Sequence, residues 1–257
     1  MIMNNSSRAA LTLLNSVGWL KPGDVSIEEI AMSQGILIKY SSMKGSEGRI
    51  MMKGENALVS INDSITQQGK INWIIAHEIG HFSLHRHLAP LYLDSQSTLS
   101  EWLTNGIHET EANQFASEFL MPTHLFKSMI TGKKLDISLI SSLADYFKVS
   151  LTAAFLKYRI CGDFPLMVIY IENGFVQWKQ ETKDFPFKWL EKNTKLPAYT
   201  VAGDRFYQNI KEERPELVDA MEWFPTDFKL KYDSGFQLWE QCFQVSSVGM
   251  ITCLWTK

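Results

Sequence analysis

Cysteine is scarce. Cys161, Cys242 and Cys253 are the three in 257 residues, and none stands at a metal-ligand or disulfide spacing. That excludes a disulfide scaffold and a thiolate zinc ribbon, and points to reduced core thiols. Apolar runs approaching the ~20 residues of a membrane helix are lacking, so no membrane span is expected. The start Met1-Ile2-Met3-Asn4-Asn5 has no charged-then-apolar layout, so no signal peptide is expected, and the cytosol is the expected location. Basic excess is missing too. The net charge is −3, which implies no surface for nonspecific nucleic-acid binding. Repeats and low-complexity tracts are likewise missing. The length allows one large or two modest domains.

What the chain does have is histidine in one place. All six histidines fall between His77 and His124. His77-Glu78-Ile79-Gly80-His81 is an H-E-x-x-H motif inside a segment that reads as a helix. Residues four apart share a helix face, so both imidazoles can turn toward one metal ion. Glu78 lies beside them, placed to act on water at the metal rather than on the metal. Ile71, Ile75, Ile79 and Phe82 form the apolar stripe of a core helix. Ala76, Gly80 and Ser83 make a strip of small residues where a second helix can approach. Gly80 costs about 1 kcal/mol against alanine in a helix, which calls for a packing reason.

Catalytic zinc takes three protein ligands and leaves a position for water. The best source of the third is the helical segment Glu109–Met121, which stops at Pro122. Glu109, Ala112, Asn113 and Ala116 share one side of it. That side can pack on the small-residue strip, taking Glu109 to the metal and leaving Glu111 toward solvent. Asn113 is then placed to hydrogen-bond a ligand imidazole. His85 continues the four-residue series, but one ion cannot reach both His77 and His85 along a straight helix. It reads as a support for the site, a groove residue or a plain structural residue. His87 and His108 are alternative third ligands. The His87 spacing suits metzincins, but Leu84 stands where those need a glycine turn. His124 reads as a surface residue.

Residues 8–20 and 26–34 read as helices separated at Pro22-Gly23. Ile36–Tyr40, Arg49–Lys53 and Ala57–Asn62 read as short strands. The last precedes the metal helix; in zinc peptidases such a strand commonly forms the sheet edge along which a substrate lies extended, and its pattern fits an ordinary sheet strand equally well. Residues 136–160 read as two helices bracing the active-site pair. After Phe164 the texture becomes antiparallel. Leu166–Glu172 and Phe175–Glu181 flank Asn173-Gly174, a hairpin signal, and Phe236–Val245 pairs with Gly249–Thr256. Five of eight tryptophans lie here (Trp178, Trp189, Trp223, Trp239 and Trp255), either as core or as a sensing surface.

The run Ala76–His81, then Glu109-x-Glu111-Ala112-Asn113-x-Phe115-Ala116 and Leu120-Met121-Pro122, resembles the ImmA/IrrE metallopeptidases. Ser26–Ala31 and Gly35-Ile36 upstream, and Leu143–Ser150 with Tyr158-Arg159 downstream, extend the likeness over about residues 8–162. The resemblance implies zinc at His77, His81 and Glu109, with Glu78 as catalytic base. It also implies a helix-turn-helix repressor as the protein substrate, whose cleavage switches on stress or mobile-element genes. One departure is Asn72, where the family usually has arginine five residues before the first histidine; Lys70 is nearby.

The expected fold is therefore α+β. A zincin-like domain with a small sheet and active-site helices spans residues 1–162. An antiparallel α+β domain, sensory or partner-binding, spans 163–257. In the expected mechanism Glu78 takes a water proton and passes it to the leaving amine. A further donor, His108, Tyr92 or His85, meets the oxyanion. The competing reading is a regulatory binding protein that keeps the zincin fold and cuts little.

Overall fold

The computed structural model describes residues 4–87, 106–211, 214–231 and 235–256; Tyr92, one of the oxyanion candidates, lies outside them. The chain packs as two compact units. One comprises Met1–Phe126 with Ala144–Ser150, the other Lys127–Leu143 with Leu151–Lys257. No single helix among the described residues is long and apolar enough to cross a membrane.

The first unit opens with α1 (Asn5–Ser16), capped by Asn4, whose side chain accepts from the Ser7 amide. Helix α2 (Ile27–Ser33) starts in a full capping box. The Ser26 hydroxyl accepts from the Glu29 amide, and the Glu29 carboxylate accepts from the Ser26 amide. Three strands follow: β1 (Ile36–Ser41), β2 (Gly48–Lys53) and β3 (Asn56–Asn62). A two-residue turn with Gly54 at φ 59° closes the β2–β3 hairpin. Beyond it lie α3 (Gln68–His85) and α4 (Ile107–Leu120).

The sheet order is β1-β3-β2, with β3 parallel to β1 and antiparallel to β2. The strand expected at the edge, Ala57–Asn62, is therefore the central one. Its hairpin occupies one side and β1 the other, so no ladder of its backbone is left for a substrate. Among the described residues the sheet's edges are β1 and β2. Ala57, Val59 and Ile61 point into the core, where the expected stripe Ile71, Ile75, Ile79 and Phe82 is buried against them.

Helix α3 is held at its start as well as along its length. A Cβ on Gly69 would lie 2.6 Å from the Val149 carbonyl carbon, so the turn after the helix Ile137–Phe147 (α6) presses on α3. Asn72 is buried beside it. Its amide donates to the Lys148 carbonyl at 2.8 Å and accepts from Gln68 at 2.9 Å. The Asn72 position thus serves packing: it closes off a carbonyl at the end of α6 and fixes the base of α3.

The second unit is built on a five-stranded antiparallel sheet, β5-β4-β8-β7-β6. Its strands are β4 (Leu166–Glu172), β5 (Phe175–Glu181), β6 (Glu216–Asp219), β7 (Gln237–Gln244) and β8 (Gly249–Thr256). The β4–β5 turn has Asn173 and Gly174 at φ 51° and 77°, the left-handed pair that a tight hairpin needs. Residues Leu151–Cys161 (α7), which the sequence places in the first domain, group here: α7 packs on β4, and Phe155 stacks on Phe243 at 5.0 Å. Residues 127–143 group here too, and the Ile137 amide donates to Gln241 Oε1 at 2.9 Å. Cys242 pairs with Thr252 and Cys253 with Gln241, so the two thiols are not opposite each other; both are buried and free. Among the five tryptophans, Trp223 is core and Trp189 is 73 % exposed.

One polar group anchors this unit. Glu240 has no exposed surface, and its carboxylate accepts from the Val201 and Ala202 amides at the start of the helix Val201–Gln208 (α8). It also accepts from Trp223 Nε1 at 3.1 Å and the Thr252 hydroxyl at 2.8 Å. Each oxygen takes one backbone amide, so in Glu240→Gln the new NH2 must face an N–H whichever way it turns. Glu240→Ala strands the Val201 and Ala202 amides and Trp223 Nε1, while the Thr252 hydroxyl keeps the Gln241 carbonyl as acceptor at 3.3 Å. The alanine variant is expected to lose at least about 3 kcal/mol of stability and the glutamine variant about 1–3 kcal/mol, read from urea unfolding. A loss below about 1 kcal/mol for Glu240→Ala would show that water reaches the site and replaces the carboxylate.

Candidate metal centre

Helices α3 and α4 meet where both lack bulk. A Cβ on Gly80 would sit 3.2 Å from Ala112 Cα, from the Ala112 carbonyl oxygen and from Phe115 Cβ. This is the packing reason for a glycine in mid-helix, and it brings the two backbones together at one point. Residues flanking Ala112 then reach the histidine row of α3. Glu109 reaches back one turn: its carboxylate lies 3.2 Å from His77 Nε2 and 3.1 Å from His81 Nε2. The two Nε2 atoms are 2.9 Å apart. Glu111 reaches the other way, with Oε2 3.0 Å from His85 Nε2.

The remaining ring nitrogens of the two histidines are also engaged. His77 Nδ1 is 3.1 Å from Asn113 Oδ1, and His81 Nδ1 is 3.2 Å from His85 Nδ1. Asn113 and His85 thus each face a different imidazole. Glu111 does not point to solvent as expected. Its side chain is 34 % exposed and turned onto His85 and His108, with His108 Nδ1 3.5 Å away. Helical periodicity alone assigns it the far side. The close crossing at Gly80 lets the side chain just before Ala112 fold onto α3.

The electrostatics suit a cation. Burial, then the neighbouring charges of His77, His85 and His108, push His81 down to about 3, and burial lowers His77 as well. Both imidazoles are thus neutral, the state in which they ligate. Burial, aided by the Glu109 charge, pushes the Glu78 carboxyl up to about 8. A divalent cation beside it would favour ionisation again. The donor set fits zinc. Bonds of 2.0–2.1 Å in a tetrahedron place ligand atoms about 3.3 Å apart, close to the separations among His77, His81 and Glu109.

The other candidates fall elsewhere. His87 is exposed in the turn after α3 and His124 is exposed on the helix Thr123–Ile130 (α5); among the described residues neither belongs to a cluster of potential ligands. His108 joins His85 and Glu111 in a second cluster, not the first. One neighbour went unnoticed in the sequence. Gly48, at the start of β2, lies against α3: a Cβ there would run into Ile74 and sit 3.3 Å from Glu78 Oε1. A glycine opening a strand carries no motif, and only the fold shows what it lies beside.

No curated protein is significantly similar to the chain. Among solved structures, a Mycobacterium tuberculosis transcriptional regulator superposes with a TM-score of 0.59 at 13 % identity, covering 99 % of this chain and 88 % of that one. At that identity the likeness is one of fold. The profile of the IrrE N-terminal-like domain, the peptidase M78 family, matches residues 31–159. That span contains all of β1 to α4 and half of the chain, so the protein belongs to the ImmA/IrrE family of metallopeptidases.

Proposed function

We propose that this protein is a zinc-dependent endopeptidase that cleaves a helix-turn-helix repressor and so controls transcription. One observation carries the reading: His77 Nε2, His81 Nε2 and the Glu109 carboxylate converge within 3.2 Å, with the buried Glu78 next to them. A zinc ion held by those three groups would polarise the scissile carbonyl and acidify water. Glu78 is the base that removes the water proton and returns it to the leaving amine. Asn113 and His85 hold the two ligand rings in orientation.

In this reading an extended substrate pairs with strand β2. Strand β2 is an edge of its sheet, half-buried in alternation, and its first residue, Gly48, abuts Glu78. A substrate strand pairing with β2 would gain backbone hydrogen bonds and run beside the base. The substitution at Asn72 bears on the support of α3 through Lys148 and leaves the three convergent groups in place. It therefore gives the weakly catalytic reading no particular support.

The test is incubation of purified protein and one equivalent of zinc with a helix-turn-helix repressor encoded beside it, with and without a chelator. Fragments read by mass spectrometry are expected only without chelator. An intact repressor in the presence of bound zinc, together with a stable complex, would overturn cleavage in favour of a binding role.

A further inference from the structure

The second cluster, His85, His108 and Glu111, has ligand-type atoms close enough to suggest a second metal centre. The hydrogen-bond directions argue otherwise. When a neutral imidazole gives its Nε2 lone pair to a metal, its proton sits on Nδ1. His81 Nδ1 faces His85 Nδ1 at 3.2 Å, so His81 must donate and His85 must accept. An accepting Nδ1 places the His85 proton on Nε2. That nitrogen faces Glu111 Oε2 at 3.0 Å and donates to it. A protonated Nε2 has no lone pair for a second ion.

From this, and resting on the zinc reading above, we infer that Glu111 is a positioning residue acting through His85 on the ligand His81. The chain runs from Glu111 through His85 to His81, each link a hydrogen bond of fixed direction. It orients the His81 ring and places a carboxylate charge behind it, which makes Nε2 a better donor to the metal. His85 and His81 are both buried, each 3 % exposed, so the link between them is shielded from competing water, and His108 lines the carboxylate at 3.5 Å. Asn113 does the simpler equivalent for His77, offering a neutral amide oxygen at 3.1 Å. The two ligand rings are thus supported unequally, with the charged support on the more buried one.

The test uses the full chain. In zinc-loaded wild-type protein, long-range 15N–1H NMR should show His85 with its proton on Nε2 and Nδ1 bare, and metal analysis should give one zinc per chain. Competition with a chromophoric chelator should show zinc affinity about 10- to 100-fold weaker in Glu111→Ala. In Glu111→Gln, whose amide oxygen still accepts from His85, it should stay within about threefold. The tautomer is read on the unaltered protein, so a misfolded alanine variant leaves the test intact. A His85 proton on Nδ1, a second tightly bound zinc lost in Glu111→Ala, or unchanged affinity in that variant would overturn the inference. A wild-type protein that binds no zinc would overturn the underlying metal reading instead.

Discussion

Glu78→Gln is expected to keep its zinc and lose at least about 100-fold in cleavage rate, about 2.7 kcal/mol of transition-state stabilisation. The reasoning is geometric. The three groups that converge are His77, His81 and Glu109; the Glu78 carboxyl is buried against Gly48 of β2, close enough to feel the Glu109 charge. An amide has the same shape, so packing against Gly48 and Ile74 survives, and it carries no charge to desolvate. It cannot accept a proton from water near neutral pH, so the base step is lost. Zinc content by metal analysis and cleavage by fragment quantification separate the two effects. Full cleavage with bound zinc would show that the base is another group. Loss of zinc would show that Glu78 is itself a ligand.

Glu109→Ala is expected to abolish cleavage and weaken zinc binding by more than about 100-fold, beyond what the loss of a supporting partner costs. Glu109 is the one anion among the three groups, and its two oxygens lie within 3.2 Å of two separate imidazoles. Without it, two neutral rings would have to hold a dication alone. Thermal unfolding in the presence of chelator should change little, because Glu109 is half-buried at the rim rather than in the core. Zinc retained at wild-type affinity would move the centre to His85, His108 and Glu111, and with it the assignment of every supporting residue.

The sequence by itself determined the elements of the first unit up to Leu120, the two C-terminal strand pairs and the histidine row, but not α5, α8 or β6. Local chemistry explains why. The i, i+4 spacing of His77, His81 and His85 is a property of one helix. The Ile71–Phe82 stripe and the Asn173-Gly174 turn are decided by neighbours a few residues away, and both are present as read. Even the Glu109 register followed from two periodicities and a strip of small residues.

What required the tertiary structure was anything set by which surfaces meet. Strand order depends on pairings between distant segments, so β3, whose alternation fits an edge or a centre equally well, proved central. The grouping of α7 with the second sheet rests on Phe155 against Phe243, and no local pattern records that contact. Asn72 reads as a missing arginine in the sequence; only the fold shows its amide on the Lys148 carbonyl. Glu111 makes the point most sharply. A helical wheel turns it to solvent because a wheel knows one helix. The approach of Ala112 to Gly80 turns it onto His85, because two backbones that close bring side chains from both flanks of the contact into reach of the neighbouring helix.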